Sequence, residues 1–211
     1  MKRKHIILEI AVVVIIIIAI SGFSNKNSFS SVGDGYSIGD VAADINLKNV
    51  DGKMVSYSDF PNAQGFIVIF TCNTCPYAVA NEDRIIALDK EFKDKGYPVI
   101  AINPNDPAIQ PDDTYELMQN KAKEKGFTFP YLYDAKDKVY ATYGAKKTPH
   151  VYLLKIEKGL KIVKYIGAID DNVRSAADVK EAFLANAVNE LLAGKEVTVK
   201  ETKAIGCSIK V

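Results

Sequence analysis

The sequence predicts an α/β protein with a mixed central sheet flanked by helices and an N-terminal hairpin extension, on three observations. The apolar runs Phe66-Ile67-Val68-Ile69-Phe70 and Val99-Ile100-Ala101-Ile102 have the length and β-branching of strands buried on both faces. Helical spacing of apolar residues follows each run and stops at a glycine, Gly96 and then Gly126. The order strand, helix, strand, helix, then hairpin and closing helix belongs to a mixed sheet.

In chain order, residues 1–23 begin with Lys2, Arg3 and Lys4 and continue as an apolar run from Ile6 to Ile20 broken only by Glu9. A basic start followed by an apolar stretch is the pattern of a signal peptide or membrane anchor. Fifteen residues rising about 1.5 Å each span about 22 Å against a hydrocarbon core of roughly 30 Å, and Ala19-Ile20-Ser21 offers a small-residue cleavage site, so both readings stand. Either places the rest of the chain outside the cytoplasm, in the periplasm or cell envelope, secreted or held at the membrane by this segment. Residues 24–38, rich in Ser, Asn and Gly, read as a flexible tether. Residues 39–211 read as one globular domain.

Within that domain, Ile45 to Val50 and Met54 to Tyr57 flank Asp51-Gly52 as a hairpin. Gln64 to Phe70 is the central strand, followed by a helix to about Lys95 with Val79, Ile85, Leu88 and Phe92 on its apolar side. Val99 to Asn103 is a second strand, Thr114 to Lys125 a helix, Tyr131 to Tyr133 a short strand and Lys136 to Tyr143 a short helix. Val151 to Ile156 and Lys161 to Gly167 pair around Glu157-Lys158-Gly159. A last helix, Ala176 to Leu192, carries Val179, Phe183, Ala187 and Leu191 on one stripe.

Composition removes several classes of function. With 27 basic and 26 acidic residues the chain is nearly neutral, which gives nucleic-acid binding no electrostatic support. Gly33, Gly35 and Gly39 lack the third glycine of a dinucleotide fingerprint, and no phosphate loop ending in Gly-Lys-Ser/Thr occurs. No cofactor is expected. Three cysteines, an odd number, suit a working dithiol better than a disulfide scaffold.

The chemistry concentrates in Thr71-Cys72-Asn73-Thr74-Cys75-Pro76, where a buried strand ends and a helix begins. Two thiols at this spacing can approach bonding distance, and a helix start favours a thiolate. Pro76 fits only a first helical turn. Cys72, upstream and nearer solvent, is then the attacking thiolate, with Cys75 as the resolving thiol. Zinc sites and structural disulfides use the same spacing and remain open alternatives. Thr148-Pro149, immediately before a strand, is a candidate cis peptide packed against the dithiol. His150 could stabilise a thiolate or be a strand-edge histidine. Cys207 could be a spare apolar residue, a third redox partner or an intermolecular link.

These residues carry a resemblance. Residues 39–211 resemble the thioredoxin superfamily, in its redoxin branch with the alkyl hydroperoxide reductase and thiol-specific antioxidant domain. The stretches concerned are Phe70 to Tyr77, Ala101-Ile102-Asn103-Pro104-Asn105, Thr148-Pro149-His150 and Gly206-Cys207-Ser208-Ile209-Lys210. The resemblance implies a thioredoxin-like fold, a redox-active dithiol at Cys72 and Cys75, and a cis Pro149 facing it. Two departures matter. Thr71 stands where thioredoxins carry Trp, and neither cysteine follows the Pro-x-x-x-Thr-x-x-Cys pattern of peroxidatic sites. Strand 64–70 also lacks a buried acid to receive a proton from Cys75. The expectation is an extracytoplasmic thiol-disulfide oxidoreductase acting on protein or small-molecule thiols and disulfides, with an unidentified redox donor and no metal. The alternatives are a thiol-dependent peroxidase and a copper-binding metallochaperone.

Overall fold

The computed structural model describes residues 35–134 and 137–211; the expected leader, and the tether as far as Asp34, lie outside them. A seven-stranded sheet runs through the middle. Its central strand β3 (Gly65–Phe70) pairs in parallel with β4 (Val99–Asn103) and antiparallel with β7 (His150–Glu157). Beyond β4 lie β5 (Tyr131–Tyr133), β1 (Leu47–Asn49) and β2 (Met54–Val55); beyond β7 lies β8 (Leu160–Gly167). This is the mixed sheet with an N-terminal hairpin that the sequence predicts.

All six residues of β3 are buried because both faces of the sheet are covered. Alternate residues point to opposite faces. Ile67 and Ile69 join Ile85, Leu88 and Phe92 on one side, while Phe66, Val68 and Phe70 join Tyr57, Tyr143 and Tyr152 on the other. The first of these layers is roofed by helices α2 (Glu82–Phe92), α3 (Tyr115–Lys125) and α5 (Phe183–Leu192). Thr114 caps α3, its hydroxyl accepting from the Leu117 N–H, and Gly126 ends it in the left-handed region at φ 64°.

Three elements depart from the sequence expectation, each for a local reason. The helix expected from the dithiol to Lys95 is broken into α1 (Pro76–Val79) and α2. The Asn81 side-chain amide takes the Tyr77 carbonyl, which the Asn81 backbone N–H would bond in a continuous helix, and that N–H turns to Ala78 instead. The closing helix starts at Phe183 and not at Ala176, because Asp171 bonds both Lys180 and Glu181 and residue 179 stays extended. Its buried stripe is Leu184, Ala187, Val188 and Leu191. The hairpin is shorter than expected, since Tyr57 turns into a 3-10 segment whose N–H donates to the Asp44 side chain.

Two short strands stand apart from the main sheet. β6 (Lys147–Thr148) pairs antiparallel with β9 (Cys207–Ser208), so the C-terminal tail returns to the segment just before Pro149. The short helix α4 (Val139–Tyr143) precedes β6. Among the described residues no helix is long and apolar enough to cross a membrane.

Candidate active site

The dithiol segment leaves the end of β3. The Thr71 N–H donates to the Ile102 carbonyl at 2.8 Å and extends the β3–β4 pairing by one bond. Cys75 then caps α1, with Pro76 in its first turn as expected. The Thr148–Pro149 peptide is cis.

Both cysteines of the motif converge on Thr148. Cys72 Sγ lies 3.2 Å from the Thr148 hydroxyl, and Cys75 Sγ lies 3.3 Å from the Thr148 carbonyl oxygen. Cys75 is bonded to Cys207, across a Cα separation of 6.1 Å. Cys72 keeps a free thiol.

Two expectations need correction. Cys72 is not near solvent: it is 4% exposed, packed with Cys75, Ala78 and the partly buried Tyr77 and Cys207. Its thiol is also pushed above the ordinary value instead of below it. Burial is the main cause, the Thr148 hydroxyl opposes it, and the Asp113 charge adds to it. The helix that should have favoured a thiolate is a single turn, Pro76–Val79, too short to gather much of a dipole.

Cys207 is not a spare apolar residue, and its surroundings explain why the tail is ordered. The Lys210 N–H donates to Asn105 Oδ1 at 2.9 Å, the Asp106 N–H donates to the Lys210 carbonyl at 2.7 Å, and the Ile209 N–H donates to the Lys146 carbonyl at 3.3 Å. Gly206 lies flat on β6, where a Cβ would run into the Thr148 carbonyl.

A buried polar group behind the loop was not foreseen. Asp113, with no solvent exposure, accepts from the Asn73 N–H at 2.7 Å and from the side-chain amides of Asn103 and Asn105 at 3.0 and 2.7 Å. The Tyr131 hydroxyl donates to Asn73 Oδ1 at 2.9 Å, and Asn73 Nδ2 donates to the Asp112 carbonyl. A buried acid therefore does lie behind the loop, bonded to Asn73, and it comes from the segment after β4 instead of from β3. Two asparagines flanking Pro104 at the end of an apolar strand were the available signal.

His150 is engaged elsewhere. Its Nδ1 accepts from the Lys146 N–H at 3.3 Å, and its ring centroid lies 5.0 Å from that of Tyr152. Burial, with the Lys146 charge, lowers its pKa to about 4, so the imidazole is neutral at physiological pH. Among the described residues no group of three or more His, Cys, Asp or Glu is arranged to hold a metal ion.

A strand, a Cys-x-x-Cys turn and a cis-proline segment thus meet at Thr148. The profile of the AhpC/TSA family matches residues 38–170. The chain belongs to the AhpC/TSA family. Curated relatives include the thiol-disulfide oxidoreductase ResA of Geobacillus thermodenitrificans, 22% identical over 166 residues that make up 79% of this chain and 90% of the relative. Two crystal structures resemble this AhpC/TSA family member over most of its length. An uncharacterized conserved protein from Geobacillus kaustophilus is 32% identical with a TM-score of 0.77, covering 83% of this chain and 93% of the other. A thioredoxin domain of a thiol-disulfide oxidoreductase from Bacteroides vulgatus, 21% identical with a TM-score of 0.51, covers 63% of this chain and 91% of its own. The fold is thioredoxin-like.

Proposed function

We propose that this chain is a thiol-disulfide oxidoreductase whose working pair is Cys72 and Cys75, acting outside the cytoplasm on protein or small-molecule thiols and disulfides. The observation that carries the reading is the meeting of both sulfurs on Thr148, next to cis Pro149, in a segment already engaged in disulfide chemistry through Cys75. The curated relatives named thiol-disulfide oxidoreductase support the same reaction class. The basic start and apolar run of the first 23 residues support the location.

The reduction of a client runs in two exchanges. The Cys72 thiolate attacks one client sulfur, a new S–S bond forms, and the other client sulfur leaves with the electron pair and takes up a proton. The Cys75 thiolate then attacks Cys72 Sγ, which releases the second client thiol and leaves a Cys72–Cys75 disulfide. The client gains two electrons and two protons, and a thiol donor returns the pair to its reduced form. Thr148, with its hydroxyl on Cys72, orients the first nucleophile. Thr71 and Pro76 fix the two ends of the loop.

The test mixes the reduced full chain separately with a protein disulfide, with hydrogen peroxide and with Cu(I), and follows thiol loss and metal retention. Thiol loss from Cys72 and Cys75 with the protein disulfide, abolished by Cys72→Ser or Cys75→Ser, is the expected result. Rapid thiol loss with peroxide and none with the protein disulfide means a peroxidase. Retained Cu(I) without exchange means a metal carrier.

A further inference from the structure

Cys75 and Cys72 are both nearly inaccessible, 6% and 4% exposed, and part of what covers them is the chain's own tail. That tail is held along β6 as a paired strand, Lys147 opposite Ser208 and Thr148 opposite Cys207. Thr148 is also the residue that touches both sulfurs of the motif. The tail therefore takes the strand edge next to the dithiol, where an extended peptide would have to pair, and places a cysteine on Cys75. A free thiol at Cys72 and a disulfide at Cys75–Cys207 sit around the same residue.

We propose that Cys207 is a third catalytic thiol of this site, an internal disulfide partner that exchanges with the Cys72/Cys75 pair while its strand occupies the client's place. The step is an isomerisation. Starting from the Cys72–Cys75 disulfide formed by client reduction, the Cys207 thiolate attacks Cys75 Sγ. The Cys75–Cys207 bond forms, the Cys72–Cys75 bond breaks, and Cys72 leaves as a thiolate that takes up the proton given up by Cys207. No electrons are gained or lost overall, so no outside oxidant is needed. In reverse, Cys72 attacks Cys75 and frees the tail. The inference rests on the proposed exchange chemistry of Cys72 and Cys75 and adds that one oxidised state is stored on the tail with Cys72 free.

This ordering makes two demands on the molecule. Clients and tail compete, because a peptide on the β6 edge displaces β9. Once its disulfide is gone, the tail is held by the β6 pairing, by hydrogen bonds at Asn105, Asp106 and Lys146 and by the packing of Ile209, and a competing strand can take over the β6 pairing.

The experiment oxidises the reduced full chain with limiting oxidised glutathione, quenches samples in acid over time, alkylates, and maps disulfides by proteolysis and mass spectrometry. The expected course is a Cys72–Cys75 disulfide that appears first and gives way to Cys75–Cys207 as Cys72 becomes alkylatable. Cys207→Ser should stop at Cys72–Cys75. Cys72→Ser should form Cys75–Cys207 more slowly by about tenfold or more, because the relay through Cys72 is gone. A Cys207 that stays alkylatable throughout overturns the proposal, as does Cys75–Cys207 formation at an equal rate without Cys72, which makes the bond a static cross-link. Insulin reduction, run in parallel, reports the underlying function on its own. Failure there with the relay intact removes the proposed client reaction and leaves the internal exchange standing.

Discussion

Burial raises the Cys72 thiol above its ordinary value, the Thr148 hydroxyl draws it back, and the carboxylate of Asp113 raises it further. The third contribution is the one a substitution can isolate. Asp113→Asn removes a negative charge behind the loop, so the pH at which Cys72 becomes alkylatable should fall. The amide brings an NH2 against the donors of Asn73, Asn103 and Asn105, and one bond left unmade there costs about 1–3 kcal/mol of stability. A midpoint that stays put or rises would show that Asp113 acts on the loop's shape alone. His150 gives a second, independent pH effect. Its folded pKa of about 4 lies below the ordinary histidine value of 6.5, so the unfolded chain takes up a proton first as pH falls. Stability from this group is complete above 6.5 and is lost on the way down through 4. Urea midpoints for wild type and His150→Gln should therefore diverge across that window, with the wild type the steeper.

At the level of elements, the tail strand makes the clearest demand. Gly206 has no room for a side chain against the Thr148 carbonyl, so Gly206→Val should lift β9 from β6. Faster Cys72 alkylation and less Cys75–Cys207 disulfide are the expected readouts; unchanged values for both would mean that the β6–β9 pairing does not shield Cys72. Elements differ in how far their sequence reveals them. β3 and β4 were legible because a strand buried on both faces must be an unbroken apolar run, and the Cys-x-x-Cys turn and Thr148-Pro149 were legible because their chemistry is local. The break at Asn81 was not, since it depends on where one side-chain amide finds a carbonyl. Asp113 was hidden because it lies 38 positions beyond Cys75 in a polar stretch of the sequence, and only the fold carries it beneath Asn73. Cys207 stood among the candidates without an assigned role, because its pairing depends on the tail folding back to β6.

For the molecule as a whole, packing begins before the expected domain start at Gly39. The Tyr36 ring meets Tyr143 edge-on with centroids 4.8 Å apart, and its hydroxyl accepts from the Ala43 N–H at 2.7 Å. A chain beginning at Gly39 should therefore be about 1–3 kcal/mol less stable than one beginning at Gly35, from the missing ring and hydrogen bond. Chemical denaturation of the two truncations compares them directly. Both should retain disulfide exchange, since every residue placed in the site falls between Thr71 and Lys210.

The bond between Cys75 and Cys207 joins positions 132 residues apart, so it ties most of the sheet, from β4 to β8, into a single covalent ring. Moving that bond to Cys72 shrinks the ring to a few residues. An unfolded chain closed over so long a loop has lost far more freedom than one closed over a single turn. The chain-entropy relation gives about 5 kcal/mol for the large ring and about 2 for the small one. The two oxidised isomers contain the same atoms, yet the tail-bonded form should melt higher by roughly 6–12 °C, since each kcal/mol moves a domain of this size by about 2–4 °C. Calorimetry of the acid-trapped isomers would read that gap. On the proposed relay, the bond that client reduction forms between Cys72 and Cys75 passes outward to Cys207, so the oxidised chain comes to rest in its more heat-resistant form.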